Sequence, residues 1–67
     1  MIEAKINGSS TGLDDKTTIQ DYLQAKNYKV ERVAVELNGQ IVPKSAYEAR
    51  KIKADDTLEI VSFVGGG

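Results

Sequence analysis

Hydrophobic and polar positions change their period several times along the chain. In "MIEAKI", Ile2, Ala4 and Ile6 fall on one side of a period-two pattern and Glu3 and Lys5 on the other, which is the pattern of a half-buried strand. "NGSSTG" supplies turn formers, and "STGL" returns as a short second strand, so residues 1–13 are predicted as a hairpin. "DDKTTIQDYLQAKNY" then shifts to helical spacing through Ile19, Tyr22, Leu23 and Lys26, the stem of Lys26 being long enough to lie along the apolar stripe. The spacing predicts a helix over 18–26. Thr17 with Gln20, or Thr18 with Asp21, offers a capping box at its start, and Asn27 offers the left-handed residue that ends it.

The clearest alternation comes next. In "RVAVELNGQIVP", Val33, Val35 and Leu37 alternate with Ala34 and Glu36, and Asn38-Gly39 suits a type I′ turn with two positive φ angles. "QIV" returns as a short strand that Pro43 stops, since proline has no N–H for the ladder. "KSAYEARKI" predicts a single helical turn near 45–50 that packs Tyr47 and Ile52. "KADDT" is a turn, and "LEIVSFV" is the last strand.

The order is hairpin, helix, hairpin, short turn, final strand. One helix must cover one face of the sheet, because nothing else buries Ile19, Tyr22 and Leu23. The helical crossover between the hairpins, and the apolar Leu58 and Ile60, put the final strand in the middle, parallel to the first. The expectation is an α+β fold of β-grasp (ubiquitin-like) architecture, a mixed sheet of four to five strands covered on one face. Residues 1–64 form the domain and 65–67 a flexible C-terminal glycine tail.

Composition narrows the function. At 67 residues the chain makes one small domain, burying only about 60% of its unfolded surface, with no room for a deep catalytic cavity. The net charge of −1 argues against nucleic acid or an anionic membrane as a main partner. No apolar run approaches the ~20 residues of a membrane span, and no signal peptide is visible at the N-terminus, so a cytoplasmic protein is expected. Cysteine and histidine are both absent. That removes disulfides, thiolate or imidazole metal sites, and Cys–His or Ser–His–Asp catalysis; neither a metal site nor a catalytic residue is expected.

Few residues remain that carry chemistry. Asp14-Asp15 and Asp55-Asp56 have the form of acid pairs that bind Mg²⁺ or move protons, but aspartate favours turns and helix entries, where both pairs fall. Arg50, Lys51 and Lys53 form a small basic cluster, a solvated face or a steering patch for an acidic partner. In the last strand, Leu58 and Ile60 facing the helix would leave Val61 and Phe63 on the open sheet face. They would form a partner-binding patch with Val64, unless the loop at 43–47 covers Phe63. The tail Gly65, Gly66 and Gly67 reads as a flexible end, a cloning remnant or the end of a truncated chain. A fourth reading is a slender arm, because a chain without Cβ atoms threads a narrow slot and presents its terminal carboxylate unhindered. ATP converts such a carboxylate into an acyl-adenylate, which a sulfur nucleophile or an amine then displaces. A chain lacking cysteine can carry sulfur only there.

A chain of this length with "LNGQIVP" in its middle, "DDTLEIV" near its end and "GG" last resembles, over its full length, the ThiS family of sulfur carriers in thiamine biosynthesis. The resemblance implies that a ThiF-like adenylyltransferase, using ATP and Mg²⁺, activates the Gly67 carboxylate, with Gly66 its partner in the diglycine. It implies that a cysteine desulfurase relay supplies sulfur and that thiazole synthase receives it, this chain binding no cofactor itself and remaining a monomer when free. Here three glycines follow Val64, a small departure. The small subunit of molybdopterin synthase shares the fold and the terminal chemistry, but its relatives tend to be longer and often carry proline before the diglycine; "SFVGGG" has none. A ubiquitin-like protein modifier and a passive binding domain are the other readings.

Overall fold

A computed structural model describes residues 1–63; Val64 and the predicted tail, Gly65, Gly66 and Gly67, lie outside the described residues. Five strands, β1 (Ile2–Ile6), β2 (Ser9–Leu13), β3 (Val33–Leu37), β4 (Gln40–Val42) and β5 (Thr57–Ser62), and one helix, α1 (Ile19–Ala25), are joined by short 3₁₀ turns at Val30–Arg32 and Lys44–Ala46. They form one sheet in the order β2-β1-β5-β3-β4. β5 lies in the middle, parallel to β1 and antiparallel to β3. This is the predicted α+β, β-grasp arrangement, with five strands.

Both hairpins turn on Asn-Gly. Asn7 and Gly8 have φ of 51° and 85°, and Asn38 and Gly39 have 52° and 86°, the paired positive angles that match the twist of the flanking strands. The sequence pattern had marked only the second of these as a type I′ turn. α1 begins at the Thr18–Asp21 box rather than the Thr17–Gln20 one. Asp21 N donates to Thr18 Oγ1 at 3.0 Å, and Thr18 N donates to Asp21 Oδ2 at 3.1 Å. The helix is shorter than predicted by one residue at each end because Thr18 and Lys26 serve as its caps. Asn27 ends it with φ 64°. Lys26 is exposed, and its ammonium lies 5.9 Å from the ring centre of Tyr22, four residues back on the same face, a cation–π distance.

The core lies between α1 and one sheet face. Ile19 and Leu23 from the helix meet Ala4, Ile6, Val33, Val35, Leu58 and Ile60 from the strands. Tyr47 and Ile52 close it from the long connection before β5. The predicted helical turn begins earlier, as the 3₁₀ turn at Lys44–Ala46, and delivers Tyr47 inward. Burial pushes its phenol up, a contact with the Val35 backbone offsetting this in part, so the ring enters the core neutral. Three backbone bonds tie this connection to the helix entry: Ile19 N to Arg50 O, Gln20 N to Tyr47 O, and Ile52 N to Thr17 O. Truncating one large core side chain costs about 2–5 kcal/mol, comparable with the ~5 kcal/mol total expected of a small domain.

Candidate functional site

Of the predicted site residues, Val61 and Phe63 are described. Val64, Gly65, Gly66 and Gly67 lie outside the described residues. The site is therefore built from the strand that leads to the tail and the sheet face beside it.

β5 is gripped at both ends by the asparagines of the two turns. At its start, Asn38 N donates to Thr57 O at 2.8 Å and Thr57 N donates to Asn38 Oδ1 at 2.9 Å. Asn38 Nδ2 also donates to Asp56 Oδ1 at 3.0 Å. At the far end, the ladder with β1 stops at Ile6–Leu58, where β1 turns away. There the Asn7 side chain replaces the missing strand: Ile60 N donates to Asn7 Oδ1 at 2.7 Å, and Asn7 Nδ2 donates to Ile60 O at 3.4 Å. One amide side chain thus occupies both backbone groups of Ile60, as a neighbouring peptide would. Beyond Ile60 the strand is paired on the β3 side, through Ala34–Val61 and Val33–Ser62, and Phe63 N donates to Arg32 O at 2.7 Å. The Lys44 ammonium donates to the Val33 carbonyl in the same corner.

Asn7 is thus a positioning residue, with a test that separates its turn role from its amide. Asn7→Gly keeps the positive φ and removes the amide. It is expected to speed hydrogen exchange at the Ile60 amide about 3- to 10-fold, the worth of one net hydrogen bond. Asn7→Asp keeps the Oδ1 acceptor and should retain the protection. Equal exchange rates in wild type and Asn7→Gly would show that the amide contributes nothing.

The face of β5 opposite the helix is open. Val61 is 56% exposed, Phe63 57% and Ile41 of β4 69%. The loop at 43–47 turns Tyr47 into the core, and Phe63 keeps more than half of its surface exposed. Ile41 was not singled out from the sequence. Its place in "QIV", one residue from the buried Val42, is the signal that puts it on the outer face. The acid pairs belong to turns. Both Asp56 oxygens are engaged, Oδ2 by Lys53 N at 2.8 Å and Oδ1 by Asn38. Asp55 sits at φ 68°, Asp14 O accepts from Thr17 N and Oγ1, and Asp15 pairs with the N-terminal ammonium at 2.8 Å. Among the described residues, no three acidic side chains converge on a point where a metal would sit. Arg50, Lys51 and Lys53 are exposed. No described helix is long and apolar enough to cross a membrane.

Comparison with known proteins gives this geometry a context. The model of the ThiS family matches residues 3–67. The chain is 42% identical over 53 residues to the sulfur carrier protein ThiS of Bacillus subtilis, covering 79% of this chain and 80% of that one. It is 40% identical over 62 residues to a thiazole synthase of Paramagnetospirillum magneticum, covering 92% of this chain. The chain spans only 19% of the length of the curated thiazole synthases it matches. In structure it superposes on the crystal structure of the thiamine biosynthesis protein ThiS from Geobacter metallireducens with a TM-score of 0.81 and 32% identity, covering 98% of this chain and all of that one.

Proposed function

The chain belongs to the ThiS family, and from that premise we propose that it is a sulfur carrier for thiamine biosynthesis whose working group is the Gly67 α-carboxylate. The observation that carries the reading is that the family match runs through the terminal glycines to residue 67. The absence of cysteine supports it, since sulfur then has no thiol to ride on.

In this reading a ThiF-like adenylyltransferase holds ATP and Mg²⁺. A Gly67 carboxylate oxygen attacks the α-phosphorus and pyrophosphate leaves. A cysteine desulfurase relay passes on sulfur as a persulfide, a thiol reductant releases it at the hydrosulfide level with formation of a disulfide, and this sulfur attacks the acyl carbon, AMP departing to leave the thiocarboxylate. Thiazole synthase then takes the sulfur, a partnership supported by the thiazole synthases among the relatives. The chain itself binds no cofactor. It supplies a small rigid body with β5 held by Asn38 and Asn7, so that a short arm starts from a fixed point. Glycine suits that arm because it adopts backbone angles closed to other residues, at an entropic cost when the arm orders on docking. The body also supplies the open face carrying Val61 and Phe63.

The test is the intact mass of the untagged protein, isolated from its own cells grown without thiamine. The expected result is a fraction heavier by the difference between one sulfur and one oxygen, localised by fragmentation to Gly67. An unmodified mass, even with ATP, the adenylyltransferase and a sulfur source supplied, would overturn the carrier reading. Amide-linked conjugates in its place would identify a protein modifier.

A further inference from the structure

Both Asn-Gly turns carry a covalent liability. Asparagine is a thermolabile residue, and a glycine after it has no Cβ to keep its backbone nitrogen away from the asparagine side chain. At Gly8 and Gly39 nothing lies within 4 Å of where a Cβ would stand, and all four turn residues are exposed. Packing therefore shields neither site. Hydrogen bonds do. Asn7 Oδ1 accepts from Ile60 N at 2.7 Å, and Asn7 Nδ2 donates to Ile60 O at 3.4 Å. Asn38 Oδ1 accepts from Thr57 N at 2.9 Å, and Asn38 Nδ2 donates to Asp56 Oδ1 at 3.0 Å. Each side-chain amide is committed through both of its polar atoms to β5 or to the residue that leads into it.

We propose that Asn7 and Asn38 are deamidation sites and that their hydrogen bonds to β5 and its entry set the rate. The backbone nitrogen of Gly8 or Gly39 gives its proton to a base in solution and attacks Cγ of the preceding asparagine. The new C–N bond closes a cyclic imide, the Cγ–Nδ2 bond breaks, and the side-chain nitrogen leaves as ammonia. Water then opens the ring at either carbonyl, giving aspartate or isoaspartate. The side chain must leave β5 before the ring can close, so folding slows the step. At Asn38 the Asp56 carboxylate is a second brake, because it opposes the negative charge that develops on the attacked amide. The products loosen the strand that the amides had held. Aspartate lacks the Nδ2 donor, and at position 38 it sets a second carboxylate against Asp56. Isoaspartate runs the main chain through the side-chain carbon and so lengthens a turn whose geometry matched the flanking strands. Chemical ageing of the two turns is thereby coupled to the hold on β5, whatever chemistry Gly67 performs.

The experiment incubates the full chain in mildly alkaline buffer, folded and in denaturing urea, and follows each site by the mass of its proteolytic peptide. Each site should react about 10- to 100-fold more slowly in the folded chain, the worth of two net hydrogen bonds. Asp56→Ala, measured folded, separates local control from general unfolding. It removes the acceptor of Asn38 Nδ2 and leaves the Asn7 bonds in place. Asn38 should then react about 3- to 10-fold faster, with Asn7 at its wild-type rate. Asp56→Asn, the milder change, keeps an acceptor and removes the charge, and should give a smaller rise at Asn38 alone. Equal rates in folded and unfolded chains overturn the proposal. Equal acceleration of both sites in folded Asp56→Asn overturns it too, because the reaction then runs through global opening rather than through the local bonds. An Asn38 rate that neither variant changes overturns the control assigned to Asp56. No conversion at either site in the unfolded chain overturns the assignment of the sites themselves.

Discussion

Adding one glycine after Gly67 is expected to abolish thiocarboxylate formation while leaving the melting temperature unchanged. The reasoning starts from reach. β5 is fixed by hydrogen bonds at Thr57, Ile60 and Phe63, so the distance from the last fixed residue to the reacting carboxylate is set by the number of residues between them. One extra residue lengthens an extended chain by about 3.3–3.6 Å. A misplacement of about 1 Å already costs an enzyme-bound reaction on the order of 10²-fold. The carboxylate of the lengthened chain therefore overshoots the α-phosphorus of ATP, and pyrophosphate release falls to background. Deleting Gly67 should fail for the opposite reason, the carboxylate stopping short. Gly67→Ala should be intermediate, because it keeps the reach and adds only a Cβ to the slot. Mass spectrometry after incubation with the adenylyltransferase, ATP and a sulfur source reads all three. Normal modification of the lengthened chain would mean that the α-carboxylate at that reach is not the reacting group. Unlike substitutions in the sheet, these changes touch no described residue, so loss of activity with an intact fold points to the arm alone.

How much of this the sequence revealed depends on how local each signal is. The strand pattern of Val33, Val35 and Leu37 is legible because alternation and burial coincide over five residues. The central place of β5 is legible because Leu58 and Ile60 are too apolar for an edge. The helix is legible from the spacing of Ile19 and Leu23, and its two candidate boxes differ by a single register step that only the hydrogen bonds resolve. Other features depend on register between distant segments. Asn7 looks like one more turn residue, yet its amide serves Ile60, 53 positions away. Glu36 and Glu59 look like ordinary outer-face charges until the β3–β5 register sets them opposite one another. Ile41 could be assigned to the outer face from "QIV", but only the whole fold shows that no described element covers that face. Each of these omissions concerns the half of the sheet around β5, the region from which the predicted arm departs.

Val61→Asp or Phe63→Asp is expected to weaken docking on the adenylyltransferase about 10²- to 10³-fold without unfolding the chain. Stability should hold because both side chains are more than half exposed and contribute little to the core. An aspartate at either position stays solvated in the free protein. Docking is different. The arm departs from the end of β5, so any enzyme that receives the Gly67 carboxylate must approach this corner of the body, and Val61 and Phe63 are the apolar surface it meets. An aspartate carried into that contact loses its water and gains no partner, and an uncompensated buried charge costs about 3–5 kcal/mol, which converts to the stated loss at 1.4 kcal/mol per tenfold. The effect should appear as a raised KM for the chain in ATP–pyrophosphate exchange, with kcat largely kept, because once docked the arm presents the same carboxylate at the same reach. That split separates a docking role from a role in aiming the arm, for which kcat would fall instead. Phe63→Leu should recover much of the binding, since it restores apolar area without the ring. If both aspartate variants remain folded and show the wild-type KM, the adenylyltransferase does not read this face, and the carrier must be gripped through another part of its surface.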